Sequence, residues 1–591
     1  DHGRIWRIRR GTAQPNPVRP QLSRMRSTGL AKHLTEENGW WRDTAQRLLV
    51  ERNDSAAVQP LHKMAMESPN PRSRLAALWT LEGLGALDIQ LLLHALRDEH
   101  PRVRENAVRL CEPFLSGKSS PVGKPDQIAA LIRTLSALVD DPDPRVRFQL
   151  ALSLGELNSP ERVVTLAQLA PQVVGDKWLS MALLSSVGDH PLPLLIRLLH
   201  DNPGWLDAGN DDQAQLLDRL AGIIGAAADE GEMNEVMSIL TPTASNPPSP
   251  ARLSLLAGLA DGLAKSNRSL SELTHQSHVY SSQWVQPVNV VIQYAIETAD
   301  SDRAPLRRRL TAIRVLAGIE PTKAGPVLSN LMLPKHPVEV QMAATRALTE
   351  FNDAELAKAI FTNWSQYTRK TRGQLLTSAL RSSAFTLAML DALEEDRIAT
   401  VEITPYTRTT LMKTQSAEIK RRAERLLQSA SSPDRNRVIQ EFIPALKLAG
   451  DRRHGAALFA STCFVCHTIQ SHGSQVGPDL SGAGSHPKDT LLIDILDPNR
   501  QVSPDYLSYA IVMNNGETVT GMIQSETSVS VTVRRPSEPD QTIPRSQIKE
   551  LRAEGRSLMP DGLEQGLTLQ DVADVLEFLS QPDATLLPNQ N

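Results

Sequence analysis

The chain has 591 residues, 40% of them hydrophobic and 4% aromatic, with a formal net charge of -4. That length exceeds one hydrophobic core and calls for two or more domains. A near-balanced charge argues against a nucleic acid or an anionic membrane as partner, and no run of about 18 apolar residues offers a membrane-spanning helix.

In chain order, Asp1 to Arg10 form a short strand-like run that belongs to no repeat. From about residue 31 to 430 the chain is rich in Leu, Ala and Arg, with helical periodicity and proline-marked turns. Gly39-Trp40-Trp41-Arg42-Asp43 with Ala45 and Leu48-Leu49 reads as an early repeat. Asn70-Pro71-Arg72-Ser73-Arg74, His100-Pro101-Arg102-Val103-Arg104 and Asp143-Pro144-Arg145-Val146-Arg147 each lead into an Ala/Leu stripe, and Ala304-Pro305 and His336-Pro337 do so again. Steps of 30, 43 and 32 between neighbouring prolines fit two-helix repeats of the HEAT kind. Proline suits the first helical turn, where its missing N–H has no partner, and the stripe after it packs on the next repeat. The recurring arginines read as a solvated face with inter-repeat ion pairs or as a recognition stripe for a protein partner. Cys111 reads as a buried packing residue. His275 and His278 lie three apart with no further ligand, a surface pair rather than a metal site.

Residues 431–450 read as a linker, and 451–591 as a separate domain. Gly455, Leu458 and Phe459 share one face of a short helix. Cys463-Phe464-Val465-Cys466-His467 follows and holds two of the three cysteines. Two thiols three positions apart would each add to a vinyl group of one porphyrin while the next residue turns its imidazole onto the iron, so the pentapeptide is the attachment signature of a c-type haem. Its rivals are a thioredoxin-like redox pair, which needs a βαβ setting, and a zinc site drawing on Cys463, Cys466, His467 and His472. Gly477-Pro478-Asp479-Leu480 is a tight loop with a carbonyl able to accept from the imidazole N–H of His467. Leu491 to Leu496 reads as a short helix ending before Asp497-Pro498-Asn499. The period then changes to two: Tyr506–Met513, Thr518–Gln524 and Ser528–Val533 read as strands, with Asn515-Gly516 as a hairpin turn and Gln541–Ile548 as a fourth strand. This predicts a small antiparallel insertion at about 506–550, serving as a docking face for an electron partner or as a packing module. Ser557-Leu558-Met559-Pro560 puts a thioether on a loop, a second iron ligand or a gap-filling core methionine. Thr568 then caps a helix with Leu569, Val572, Val575, Leu576 and Leu579 on its apolar side.

This order resembles a class I cytochrome c, a family whose first and last helices cross with a small residue meeting an aromatic one. Gly455, Phe459 and Phe578 stand at the matching places, and Met559 matches the distal axial ligand. Over about residues 450 to 582 the run from Gly455 through the pentapeptide, the Gly477–Leu480 loop, Asp497-Pro498-Asn499, the β insertion and Ser557-Leu558-Met559-Pro560 resembles the planctomycete-type haem-binding domain. The fold so implied is mainly α, a HEAT-like α-solenoid followed by a cytochrome c-like helical domain with a small antiparallel β insertion. Longer members of that family place a propeller resembling soluble sugar dehydrogenases upstream. Asp1 to Arg10 resemble its closing strand, so residues 1–30 are expected to be a remnant of that domain plus linker, and the chain a fragment.

The expected function is electron transfer through one covalent haem c, held by Cys463, Cys466, His467, Met559 and the Pro478 carbonyl. Iron is ligated by His467 and Met559, with His454, His472 and His486 as substitutes for the methionine. A redox partner protein or an upstream dehydrogenase domain would supply electrons, and the repeats would be the scaffold. A haem-based enzyme, or a redox sensor recruiting a partner through the repeats, remains the alternative. Covalent haem attachment implies export to a periplasm-like compartment, although the chain shows no signal peptide.

Overall fold

The computed structural model describes residues 20–587 apart from 117–123, 190, 208–209, 228, 242–247, 276–284, 428–432, 501 and 528. The expectation for Asp1 to Arg10 lies outside the described residues, as do His278 and the side chain of His275. The chain forms two compact units, Asp1–Ser266 and Asn267–Asn591. Among the described residues no helix is long and apolar enough to cross a membrane.

The first unit is a run of paired helices, beginning at Ser27–Lys32 rather than at residue 31. Its local logic is a cap, a proline and an arginine. Asn70 Oδ1 accepts from the Arg72 N–H at 3.0 Å, His100 Nδ1 from Arg102 at 3.2 Å and Asp143 Oδ1 from Arg145 at 2.9 Å, each with Pro71, Pro101 or Pro144 as first helical residue. The second arginine of each motif turns inward. Arg74 grips Asp98 with two bonds of 2.7 Å, and Arg104 grips Asp141 at 2.7 and 2.8 Å. Arg74 and Arg104 are therefore spent on inter-repeat ion pairs, while Arg147 of the third motif donates to the Asp141 carbonyl. Cys111 is fully buried, its Sγ donating to the Ala107 carbonyl at 3.0 Å.

The second unit opens with more helix pairs, Val285–Asp300 through Ala417–Leu427. Residues 433–447 correct the expected linker. Pro433–Phe442 is a helix and Ile443–Lys447 a 3-10 turn, and Ile439 and Ala445 are buried in the core of the C-terminal domain. That core is shared with the helices Arg452–Thr462, Lys488–Leu496 and Leu569–Ser580.

Strands β1 (Thr468–Ile469) and β2 (His472–Gly473) make a small hairpin. The insertion holds β3 (Leu507–Met513), β4 (Thr518–Glu526), β5 (Ser530–Arg534), β6 (Gln541–Pro544) and β7 (Ile548–Ser557) in the order β6-β5-β4-β3-β7, all antiparallel. It thus has five strands and ends at 557 rather than 550. The expected fourth strand stops at Pro544, whose ring removes a ladder donor, and a 3-10 turn over Arg545–Gln547 leads into β7. The Asn515-Gly516 turn is a three-residue loop in which only Gly516 has positive φ, at 88°.

Candidate functional site

Asp451 starts the first helix of the site, its Oδ1 accepting from the N–H groups of Arg453 and His454 at 2.8 and 3.2 Å. Gly455 lets this helix cross Leu569–Ser580, since a Cβ there would lie 2.0 Å from the Asp574 carbonyl oxygen. Phe459 sits at the crossing, its ring centroid 5.4 Å from that of Phe578 and 5.5 Å from that of Phe464.

The pentapeptide continues the helical turn. The N–H of Cys463 donates to Phe459 O at 2.8 Å, and those of Cys466 and His467 donate to Cys463 O at 3.1 and 2.9 Å. Both cysteines are free thiols. Burial, with a contribution from Cys466, pushes the Cys463 thiol up to about 12, and burial raises that of Cys466. The pair follows a helix and precedes the antiparallel β1–β2 hairpin, so the βαβ setting of a thioredoxin-like couple is missing around it. Among the described residues, the ligand atoms of Cys463, Cys466, His467 and His472 do not converge as a zinc site requires.

His467 is placed by the loop after it. Its Nδ1 lies 2.9 Å from the Pro478 carbonyl oxygen. A carbonyl only accepts, so Nδ1 carries the proton and Nε2 of the neutral ring keeps its lone pair. Burial lowers the imidazole pKa, opposed by the Pro478 bond. The loop is pinned by the N–H groups of Val476 and Gly477 on Cys466 O, at 3.0 and 2.6 Å, and of Leu480 on Thr468 O at 2.8 Å. Between β1 and β2, Gln470 and Ser471 both have positive φ, at 49° and 71°, the signature of a type I′ turn.

Met559 follows β7, its N–H donating to Ser557 Oγ at 3.0 Å. Two adjoining cavities, of about 500 and 130 Å³, share the same wall of Cys466, His467, Leu480, Ile495, Met559 and Leu579. The fold therefore brings the histidine and the methionine, 92 positions apart in the chain, to one space. Cys463 and the apolar side chains Leu458, Val572 and Val575 close the smaller cavity. His486, Asp494, Ser503 and Tyr506 give the larger one a polar side. Asp494 also lines this cavity, and desolvation raises its carboxyl pKa above the ordinary value.

Of the substitute histidines, His486 lines the larger of the two cavities. His472 is exposed on β2. His454 Nδ1 lies 2.7 Å from Asp574 Oδ2, a carboxylate that also accepts from the Asp451 N–H at 2.6 Å and from Gln570 at 2.8 Å. That cluster, with Asp571 accepting from the N–H of the helix cap Thr568, locks the helix crossing.

Sequence reasoning gave no role to the side chains that hold the Met559 loop. Asn499 Oδ1 accepts from the Ser557 N–H at 2.9 Å, and its Nδ2 reaches both Asp561 oxygens at 3.0 Å. Arg435, on the expected linker, pairs with Glu564 at 2.9 and 3.0 Å and also donates to Leu496 O at 2.7 Å. A polar residue directly after the helix-ending Asp497-Pro498 was the available signal for Asn499; Arg435 had none.

A search of curated proteins finds no match to the chain. Among solved structures it is similar to the karyopherin Kap121p bound to the SUMO protease Ulp1p, at 15% identity and a TM-score of 0.39, over 73% of this chain and 52% of that one. It is also similar to Kap95p in a structure with RanGDP, at 10% identity and a TM-score of 0.35 over 72% and 64% of the two chains, and to an engineered protein at 17% and 0.25 over 68% and 98%. The chain thus spans about half the length of Kap121p. Residues 27–112 and 89–174 match the family model for HEAT repeats, and the N-terminal helix pairs are repeats of that kind.

Proposed function

We propose that the C-terminal domain is a c-type haem module that carries one electron at a time, joined to a HEAT-repeat scaffold that offers surface to protein partners. The observation that carries this reading is the convergence on one cavity wall of Met559 and of His467, whose Nδ1 is already engaged by the Pro478 carbonyl. The residues fit such a group. Two neutral thiols stand one helical turn apart beside the imidazole, the walls are largely apolar, and about 500 Å³ lies within the ~300–1,000 Å³ range of cofactor clefts.

Cys463 and Cys466 would each add an S–H across a vinyl double bond, a step that consumes no oxidant. His467 would offer Nε2, made more basic by the Pro478 carbonyl on the far nitrogen. Met559 would offer its sulfur, and Leu458, Val572, Val575 and Leu579 would keep water from the ring edge. Bound there, haem iron would supply one-electron exchange at a raised potential, as thioether ligation and burial favour. Electrons would come from a dehydrogenase-like module or a separate redox protein, and covalent attachment goes with an exported, periplasm-like location.

The chain produced in a host competent for cytochrome c maturation should give a c-type pyridine haemochrome, and its isolation without covalent haem would refute the reading. Met559→Ala should let imidazole or carbon monoxide bind. An unchanged low-spin spectrum in that variant would transfer the ligand role to His486. The polar side of the larger cavity supports a second reading, small-molecule chemistry or sensing at haem, and a high-spin resting spectrum of the unsubstituted protein would favour it.

A further inference from the structure

Met559 sits on a loop outside every regular element. It lies between β7, which ends at Ser557, and the helix that starts at Leu569. The same amide side chain grips this loop on both sides of it. Asn499 Oδ1 accepts from the N–H of Ser557, two residues before the methionine, at 2.9 Å. Its Nδ2 donates to the carboxylate of Asp561, two residues after, at 3.0 Å to each oxygen. Ser557 passes the constraint inward, its Oγ accepting from the Met559 N–H at 3.0 Å. Asn499 is itself fixed: it sits in a turn closed by the Arg500 N–H on Asp497 O at 3.1 Å, at the end of a helix whose Leu496 carbonyl is held by Arg435. Ile495 of that helix lines both cavities, so the anchor belongs to the cavity wall.

We infer that Asn499 is the positioning residue for Met559, a staple that keeps the thioether loop closed over the cavity and so sets how readily another ligand takes the methionine's place. This rests on the haem reading above. An amide suits the role because it accepts at one end and donates at the other. A carboxylate at 499 could only accept, and would face Asp561 and the buried Asp497 across the same turn.

The test uses the full haem-loaded chain and imidazole as probe. Asn499→Asp should raise the affinity of the ferric protein for imidazole by roughly 10- to 100-fold, the equivalent of losing one hydrogen bond to a charged group. It should also weaken the sulfur-to-iron charge-transfer band and lower the midpoint potential. Asp561→Asn, which weakens the staple without adding a charge, should move the same readouts in the same direction by less. Combining Asn499→Asp with Asp561→Asn exchanges donor and acceptor, and should restore them toward the parent. Equal imidazole affinity and band intensity across a haem-loaded series, or a double variant no better than Asn499→Asp, would overturn the inference alone. Absence of covalent haem from the unsubstituted chain would overturn the haem reading and this inference with it.

Discussion

A Cβ on Gly477 would stand 2.7 Å from Cε1 and 2.8 Å from Nδ1 of His467, inside van der Waals contact with the ring that the loop must hold. Gly477→Ala therefore has to move either the loop or the imidazole, and each movement stretches the bond to Pro478 O. Overpacking of this kind costs about 1–3 kcal/mol. Amide exchange over residues 466–480 should accelerate by roughly 5- to 100-fold, the rate equivalent of that cost when opening is local, and rates equal to the parent would mean that the ring is not confined by this glycine. His454 responds to pH rather than to volume. The hydrogen bond it donates to Asp574 holds the imidazole pKa above the ordinary value, with Asp574, Asp571 and Asp451 adding their charges. A raised folded pKa means that the stabilisation is fully present below the unfolded value, about 6.5, and is lost as pH rises through the folded one. Asp574 is a carboxylate held low: burial pushes it up, but its bonds from His454, the Asp451 N–H and Gln570 outweigh that. Its contribution is present above about pH 4, the unfolded value, and fades as pH falls through the folded one. The window in which both contribute is thus about pH 4 to 6.5. His454→Gln should lower the thermal midpoint of the domain at pH 5.5 and change it little at pH 9, and a deficit that grew with pH would rule out this pairing as its source.

At the scale of elements, two helices meet where a side chain is missing. Gly455 faces backbone across the crossing, the Asp574 carbonyl, and backbone cannot step aside as a flexible side chain can. Gly455→Ala should separate Arg452–Thr462 from Leu569–Ser580 and loosen the packing of Phe459 on Phe578. The expected cost is about 3 kcal/mol, the upper end for overpacking, read as a lower thermal midpoint together with a weaker near-ultraviolet dichroism of the phenylalanines. The crossing was expected through the resemblance, in which Gly455, Phe459 and Phe578 stand at the matching places, and the His467 loop was legible because proline fixes a backbone bend. Strand β7 was not. Ile548–Ser557 carries Lys549, Glu550, Arg552, Glu554 and Arg556, and an edge strand with half its side chains charged shows no apolar alternation. The β1–β2 hairpin hid for another reason, since Gln470 and Ser471 occupy turn positions that normally announce themselves with Asn or Gly. Residues 433–447 looked like a linker because they bury little more than Ile439 and Ala445 and hold their place through Arg435. A contact to Glu564, 129 positions away, leaves no trace in local pattern.

At the scale of the whole molecule, the β insertion belongs to the repeats as much as to the candidate site. Within the second unit β7 packs against the 3-10 turns Trp364–Gln366 and Thr400–Glu402, and Val401 joins the apolar core of the sheet. Beneath it the buried Glu402 accepts from Trp364 Nε1 at 3.1 Å and from Arg372 at 3.4 Å. One carboxylate ties the sheet to the repeats directly. Glu526, at the end of β4, accepts from the Arg369 N–H at 2.7 Å and from Arg545 at 2.8 Å, while Arg369 Nη1 donates to the Asp505 carbonyl at 3.0 Å, next to the cavity-lining Ser503 and Tyr506. The helix Arg369–Ala379 thereby holds the insertion at a strand end and at the entry to β3. One of the strands that touch the repeats, β7, also runs into Met559, so docking and ligand placement share a backbone. Glu526→Ala removes the acceptor from a part-buried N–H and leaves the guanidinium of Arg545 with one partner fewer, a loss of about 1.5–3 kcal/mol for bonds to a charged group. Amides of β3, β4 and β7 should then exchange roughly 10- to 100-fold faster. Those of Arg452–Thr462 should keep their parent rates, because the helix crossing has its own core. Acceleration confined to the strands would establish the sheet as a separately docked layer, and equal acceleration at the crossing would show that repeats, sheet and helices open as one cooperative body.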